Sequence, residues 1–329
     1  MIKLVSDTID KQDINALCEW LQQDLTPRLT KGDLTIQLEE KWAKTVGTKY
    51  SVFVNSGSSA ILLTLAALKR ENPSTLILVS PLGLVPKMKQ VIELCKQYNV
   101  LLLEDVCESM GSKFNGEYLG SFGFASFFSM YFGHHLSTIE GGFINTNDED
   151  FYHLLLMMRS HGWDRDLPKE KQQKLREQYN CTDFDALYNF YVPGMNLRST
   201  DLQAFIGLRA INKLNCYAIK RNNNFKYYKK HMKTNCLKLE ERSKDYVSSF
   251  AIPILHSKRN DIIKELLDAN IEVRPLIAGN MANKPMWKGS KAELENCELI
   301  ESQGFYIPNH QDLTIENMNL IIGIINKYE

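Results

Sequence analysis

Long apolar runs are missing from this sequence of 329 residues. None approaches the roughly 20 residues that a helix needs to cross a bilayer. The opening segment, Met1-Ile2-Lys3-Leu4-Val5-Ser6-Asp7, also lacks the basic-then-apolar order of a secretory signal. These absences make the cytoplasm the expected location, with no membrane partner. An excess of charge of either sign is absent too, because 39 basic residues stand against 39 acidic ones. Nothing in that balance draws the chain to nucleic acid. The seven cysteines (Cys18, Cys95, Cys107, Cys181, Cys216, Cys236 and Cys297) include no close pair of the kind that holds zinc or an iron–sulfur cluster. They read as reduced, mostly structural thiols, and no metal site is expected. Internal repeats and low-complexity segments are lacking as well. What remains is an ordinary globular composition, 44% apolar. The length predicts about two domains.

Strand and helix signals alternate through the first half. Ser51-Val52-Phe53-Val54 reads as a buried strand, and Ser59 to Leu68, SAILLTLAAL, as the apolar helix after it. Thr75 to Val79 predicts a second strand. Lys87 to Tyr98 follows as a helix with Met88, Val91, Ile92 and Cys95 on one face, and Val100 to Leu103 as a third strand ending in Glu104-Asp105. Continuous apolar runs of this kind suit parallel strands covered on both faces. The pattern predicts an α/β fold with ligands at the carboxyl ends of its strands. Asn115-Gly116 marks a hairpin turn. Asp148 to Ser160 predicts a helix, Pro168 to Asn180 a solvated helix, and Ser199 or Thr200 the cap of a helix starting near Asp201. A helix from Tyr217 to Lys233 leads into a smaller C-terminal domain. That domain is expected as a strand (Val247 to Leu255), a helix (Asp261 to Ala269), a strand (Ile271 to Ile277) and terminal helices. The boundary is set between a large domain at 1–215 and a small α+β domain at 216–329.

Several residues could carry chemistry. Asn55-Ser56-Gly57-Ser58-Ser59-Ala60 follows a strand and opens a helix, so its free N–H groups beside a positive dipole end make a phosphate corner. A plain helix cap has the same appearance. Asp105 ends a buried strand, where an acid needs a partner or a purpose, or else caps the next helix. Ser129 closes Ser126-Phe127-Phe128-Ser129, and His134-His135 follow in GHHLSTIEGG. Singly, each has a bland reading, as filler or as a half-buried histidine.

Together they form an arrangement that suits pyridoxal phosphate: a phosphate cup, a carboxylate for a pyridinium nitrogen, and a later segment bearing the reactive group. Here the chain resembles the DegT/DnrJ/StrS family of sugar-nucleotide enzymes, built on the aspartate aminotransferase fold. The matching motifs are NSGSSA (55–60), LLLEDVCES (101–109), SFFSMYFGHHLSTIEGG (126–142), RSHGW (159–163), GMNLRSTDLQA (194–204) and VRPLIAGN (273–280), in the family's order over nearly the whole chain. The resemblance implies a three-layer, mainly parallel sheet. It also implies pyridoxal 5'-phosphate, converted by glutamate to pyridoxamine 5'-phosphate, and a homodimer with a shared site. By the same likeness Gly57, Ser58, Ser129 and a second subunit's Asn196 hold the phosphate, Asp105 pairs with the ring nitrogen, and Glu108 faces the ring hydroxyl. His161, Arg165 and Arg274 are candidates for the sugar or diphosphate, with a surface ion pair as the alternative for each.

Most family members carry a Schiff-base lysine where this chain has His134, and no lysine occurs between Lys113 and Lys169. Histidine forms no stable imine. The chain is in this respect similar to the family's small branch of 3-dehydratases, in which histidine is the only base. That likeness implies loss of the C3 hydroxyl from a nucleotide-linked, most simply GDP-linked, 4-keto-6-deoxyhexose, giving a 3-deoxy ketosugar and ammonia in dideoxysugar and O-antigen biosynthesis. The alternatives are a sugar aminotransferase, or a catalytically impaired scaffold that still binds the cofactor. One departure favours the scaffold. Leu68 passes through Lys69–Ser74 straight into Thr75–Val79, where the family has a further strand, helix and strand that supply an aromatic stacked on the ring. Some fifty residues, about one βαβ unit, are expected to be missing.

Overall fold

The computed structural model describes residues 1–23, 25, 27–233, 244–287 and 292–328. Helices α1 (Lys11–Leu21) and α2 (Asp33–Val46) precede β1 (Tyr50–Val54), α3 (Gly57–Leu68), β2 (Thr75–Val79), α4 (Met88–Gln97) and β3 (Leu101–Asp105). A small hairpin, β4 (Lys113–Phe114) and β5 (Glu117–Tyr118), leads to β6 (Ala125–Ser129) and β7 (Gly142–Thr146). Asn115 and Gly116 turn the hairpin at φ 53° and 88°, the left-handed pair that an Asn-Gly turn supplies. Helices α5 (Glu149–Arg159), α6 (Lys169–Gln178) and α7 (Asp201–Ala210) follow. Thr200 rather than Ser199 caps α7, in a reciprocal box with Gln203. The last helix of this half, α8 (Leu214–His231), packs its first turns on the large domain and Phe225, Tyr228 and the following Met232 on the small one.

The central sheet has the order β1-β7-β6-β3-β2. β2, β3 and β6 pair in parallel, and β7 runs antiparallel between β6 and β1, so four of the five strands share a direction. The mainly parallel α/β sheet expected from the sequence is present. Trp42 from α2 locks β6 and β7 together, stacked on Phe143 at 5.0 Å and edge-on to Phe128 at 5.1 Å. This aromatic knot fixes the strand ends on which Ser129 and Gly142 sit.

β2 stands at the sheet's edge, and Leu76, Ile77 and Val79 are 40, 38 and 56% exposed. Leu62 and Leu65 on α3 are exposed as well. The prediction that every apolar strand is covered on both faces fails here, and among the described residues no strand pairs with the outer edge of β2.

Past α8, β8 (Asp245–Tyr246) returns to pair with β4, and the C-terminal part then comprises β9 (Ala251–Leu255), α9 (Arg259–Asp268), β10 (Arg274–Pro275), α10 (Glu295–Gln303), β11 (Gly304–Pro308) and α11 (Ile315–Ile325). Three sequence readings change. The strand expected over Val247–Leu255 begins only at Ala251, because the carbonyls of Ser248, Ser249 and Phe250 are taken by side chains instead of a ladder. The strand expected over Ile271–Ile277 shrinks to two residues, because Ile271 bridges Ile2 and Pro275 has no N–H to donate. Gly304–Pro308, expected within terminal helices, is the buried central strand between β10 and β9. The N-terminus joins this domain too, with the Leu4 N–H donating to Glu272 Oε2 at 2.9 Å. Six cysteines are free thiols. Cys236 lies outside the described residues.

Candidate active site

β1 ends at Val54 and α3 begins at Gly57, which leaves the N–H groups of Gly57 and Ser58 without partners inside the helix. Ser56 caps the turn, its hydroxyl accepting from the Ser59 N–H at 3.0 Å. The corner is tightly walled. A Cβ on Gly57 would lie 2.8 Å from Ser129 Cβ and 3.3 Å from Cys107 Sγ. From beneath, a Cβ on Gly142 would lie 2.4 Å from the carbonyl of Ser56 and 2.5 Å from the Gly57 nitrogen. Gly142 pairs with both Val54 and Ser129 across the sheet, so the phosphate corner rests on its bare backbone.

Asp105 ends β3 beside Phe127 of β6, and its Oδ1 accepts the Cys107 N–H at 3.2 Å. Burial pushes the Cys107 thiol up, and the charges of Asp105 and Glu108 push it further, so it stays protonated. Glu108 Oε2 accepts the Leu82 N–H at 2.9 Å. Burial and then the Asp105 charge raise the Glu108 pKa, against that hydrogen bond.

After β6 the chain leaves the sheet and returns, closed at its neck by Thr138 N–H to Met130 O at 3.0 Å and Met130 N–H to Gly141 O at 2.9 Å. The two histidines sit in this excursion and face different ways. The His134 ring lies 6.2 Å from Tyr131 and 5.7 Å from Phe250, between centroids, and its Nδ1 is buried without a hydrogen-bond partner. Burial, then the positive charge of Arg221, pulls its pKa down to about 4, so the ring is a neutral base at pH 7. His135 is wholly buried, with Nε2 2.8 Å from Ser248 O. Its pKa lies well below the ordinary value, first through burial and then through Arg221.

Gly57, Ser58, Ser129, Asp105, Glu108 and His134 thus form one run of contacts. It passes from the corner through Cys107 to Glu108, on to Leu82, and from Leu82 O to the Phe250 N–H at 3.0 Å beneath His134. The small domain closes the far side. Tyr306 has its phenol raised by burial, and it feels both Arg274 and Glu108. Arg274 itself is exposed and paired with Glu272 at 3.2 Å.

His161 and Arg165 lie together elsewhere, on either side of Trp163. The His161 ring is 4.7 Å from the indole, and the Arg165 guanidinium 3.8 Å above it. His161 occupies the left-handed region at φ 64° and donates its N–H to Met195 O at 2.8 Å. Asn196 bridges Ser160 in the same strip. Sequence reasoning missed Leu82, Phe250 and Arg221. Only Leu82 carries a signal, in the Pro81-Leu82-Gly83 turn just past β2, where it adopts φ 57°.

Comparison with known proteins places the chain. The sequence model of the DegT/DnrJ/EryC1/StrS aminotransferase family matches residues 7–83 and 69–326. GDP-4-keto-6-deoxy-D-mannose 3-dehydratase of Yersinia pseudotuberculosis is 28% identical, over 98% of this chain and 98% of its own. That alignment spans 389 positions against a chain of 329 residues, so at least 60 positions have no residue here. A solved structure of the E. coli enzyme of the same name, with bound hydrated PLP, is 26% identical and superposes with a TM-score of 0.87 over 99% of both chains. Another GDP-4-keto-6-deoxymannose-3-dehydratase structure, with a trapped PLP-glutamate geminal diamine, gives 0.87 at 26% identity over 99% of this chain and 100% of that one.

Proposed function

The chain belongs to the DegT/DnrJ/EryC1/StrS aminotransferase family, and from that premise we infer that it is a pyridoxal-phosphate-dependent 3-dehydratase of a GDP-linked 4-keto-6-deoxyhexose, a lyase of deoxysugar and O-antigen biosynthesis. One observation carries the choice of dehydratase over aminotransferase. The position of the family's lysine holds His134, a neutral and partly shielded imidazole, and residues 114–168 contain no lysine.

The residues fit the cofactor. Two free N–H groups at a helix start and the Ser129 hydroxyl beside them suit a phosphate. Asp105 suits a protonated ring nitrogen one strand away, and His134 offers its Nε2 to the reactive end, since its Nδ1 is buried. When bound and aminated by glutamate, the cofactor supplies an electron sink joined to the sugar's C4. Asp105 keeps the ring nitrogen protonated. His134 would take the proton of the cofactor's C4′ carbon at Nε2, the nitrogen away from its buried Nδ1, and would return it to the departing C3 oxygen, which leaves as water. Because its pKa lies near 4, the ring is in the accepting form throughout the neutral range. Without an amine to recapture the cofactor, turnover ends in a 3-deoxy ketosugar and ammonia rather than an aminosugar.

His161, Arg165 and Arg274 are assigned to the sugar nucleotide, Glu108 to the ring hydroxyl side, and Asn196 to the phosphate of a second subunit in a cytoplasmic homodimer. The exposed Phe184, Leu187, Tyr188 and Phe190, at 79, 50, 78 and 55%, support such an interface. No helix among the described residues is long and apolar enough to cross a membrane. The open edge at β2 favours one second reading, a cofactor-binding scaffold with weakened catalysis. The test is an absorbance titration with pyridoxal phosphate and then glutamate, followed by ammonia release from the keto-sugar nucleotide. The aldehyde band should give way to the amine band, and ammonia release should vanish in His134→Asn. Cofactor binding without ammonia release would leave the scaffold; no retained cofactor would sink both.

A further inference from the structure

We propose that His135 and Arg221 are positioning residues for His134, because together they hold every backbone carbonyl of Ser248-Ser249-Phe250, the strip whose phenyl ring packs on the His134 imidazole. The proposal rests on the dehydratase reading and adds to it how the base is kept in place.

Every carbonyl of the strip is hydrogen-bonded, and Ser249 O and Phe250 O share Arg221 Nη1. Ser248 O meets His135 Nε2 at 2.8 Å. Ser249 O receives Arg221 Nη1 at 3.4 Å and Asn309 Nδ2 at 3.1 Å. Phe250 O receives Arg221 Nη1 at 3.1 Å. Arg221 and Asn309 are tied to each other, Nη1 to Asn309 O and Asn309 Nδ2 to Arg221 O. The opposite side is closed as well. The Phe250 N–H donates to Leu82 O, and a Cβ on Gly83 would lie 2.3 Å from Ser248 O. The strip is held from both sides, and the Phe250 ring lies 5.7 Å from His134 and 6.0 Å from His135.

The arrangement is an expensive way to anchor a loop. Arg221 is 1% exposed, and among the described residues it makes no ion pair. A buried guanidinium bonded only to carbonyls costs more than an apolar side chain of the same volume. Its placement has a chemical use. Burial does most to lower the pKa of both histidines, and the positive charge of Arg221 adds to it, disfavouring a second cation there. His135 serves the strip through its Nε2–H donor and needs no charge. The doubled histidine of GHHLSTIEGG is therefore read as one base and one bracket.

The test compares His135→Gln, which retains a side-chain N–H for Ser248 O, with His135→Leu, which does not, and adds Arg221→Met and the milder Phe250→Leu. Ring resonances of His134, assigned by their loss in His134→Asn, are followed by NMR in labelled protein without substrate; kcat, KM and cofactor affinity are measured beside them. His135→Gln should keep one sharp His134 signal and its kcat. His135→Leu, Arg221→Met and Phe250→Leu should broaden or split the signal and lower kcat about tenfold or more, the size expected of a loosened reacting group, with KM and cofactor affinity unchanged. If the two longer-range variants fail to fold, Phe250→Leu alone decides, since it removes the ring and leaves the brackets. A His134 signal in His135→Leu or Phe250→Leu identical to the parent's overturns the proposal. A parent that shows the ring response but no turnover overturns the dehydratase reading and leaves the positioning intact.

Discussion

Gly142→Ala should weaken cofactor binding without replacing any residue assigned to the cofactor. The added methyl would stand 2.4 Å from the Ser56 carbonyl and 2.5 Å from the Gly57 nitrogen, where ordinary contact begins at 3.4 Å. Both neighbours are backbone, so no side chain can rotate away. The Ser56-Gly57 peptide must lift by about 1 Å or the β1–β7 pairing must open, and overpacking of this kind costs about 1–3 kcal/mol. Borne by the phosphate corner alone, that weakens binding by about 5- to 150-fold. The assay is a pyridoxal phosphate titration followed by absorbance, with Gly323→Ala as the control. Gly323 lies on the exposed face of α11 with nothing within 4 Å of its added Cβ, so its replacement should leave affinity unchanged and stabilise the helix by about 0.5–1 kcal/mol. Parent-like affinity in a folded Gly142→Ala would refute the placement of the phosphate at this corner.

Acidification should destabilise the protein from about pH 6.5 downward through its buried histidines. The folded chain holds His134 and His310 down to about 4 and His135 well below its usual value, whereas the unfolded chain protonates all three near 6.5. Stability is therefore full above about pH 6.5 and falls between there and 4, by about 2 kcal/mol for each of His134 and His310 at pH 5. Denaturant midpoints at pH 7.5 and 5 would show it, and equal midpoints would contradict it. Arg159→Met leaves Glu39 buried, deprived of the guanidinium 2.5 Å away. A loss of about 3–5 kcal/mol is expected from urea unfolding, and a loss under 1 kcal/mol would mean the pair is dispensable. Ile77→Lys places a charge on the open edge strand, so the concentration at which the protein begins to scatter light should rise while kcat stays put. No change in scattering would show that the edge is already protected.

Much of the large domain was legible because its signals are local. Apolar runs bounded by turn residues mark β1, β2, β3 and β7, and Asn115-Gly116 and Thr200 act within four residues of themselves. The candidate residues were equally legible in order, since NSGSSA, Asp105 and Ser129 each close a strand or open a helix and His134 follows Ser129 by five residues. The small domain was harder. Gly304–Pro308 follows α10 without a break, and its strand character comes from pairing with β9 some fifty residues earlier in the chain. The support around His134 was illegible for the same reason. Arg221 lies in the asparagine- and lysine-rich helix that reads only as a lead into the C-terminal domain, and the fold alone brings it to Phe250. The expected deletion could be read from Lys69–Ser74, yet its result, an uncovered β2, belongs to the sheet and not to any residue.

The open flank at β2 also bears on how this protein could be rebuilt. Asp105 and Ser129 sit on β3 and β6, inward of the open edge strand β2. The junction at 69–74 lies on the surface, between a helix end and a strand start whose pairing edge is already vacant. A strand-helix-strand cassette spliced there would meet a ready hydrogen-bonding template and the bare leucines of α3. The chain is thus a receptor for transplanted architecture, in which the outer sheet can be exchanged like a cladding panel while the chemistry behind it keeps its geometry.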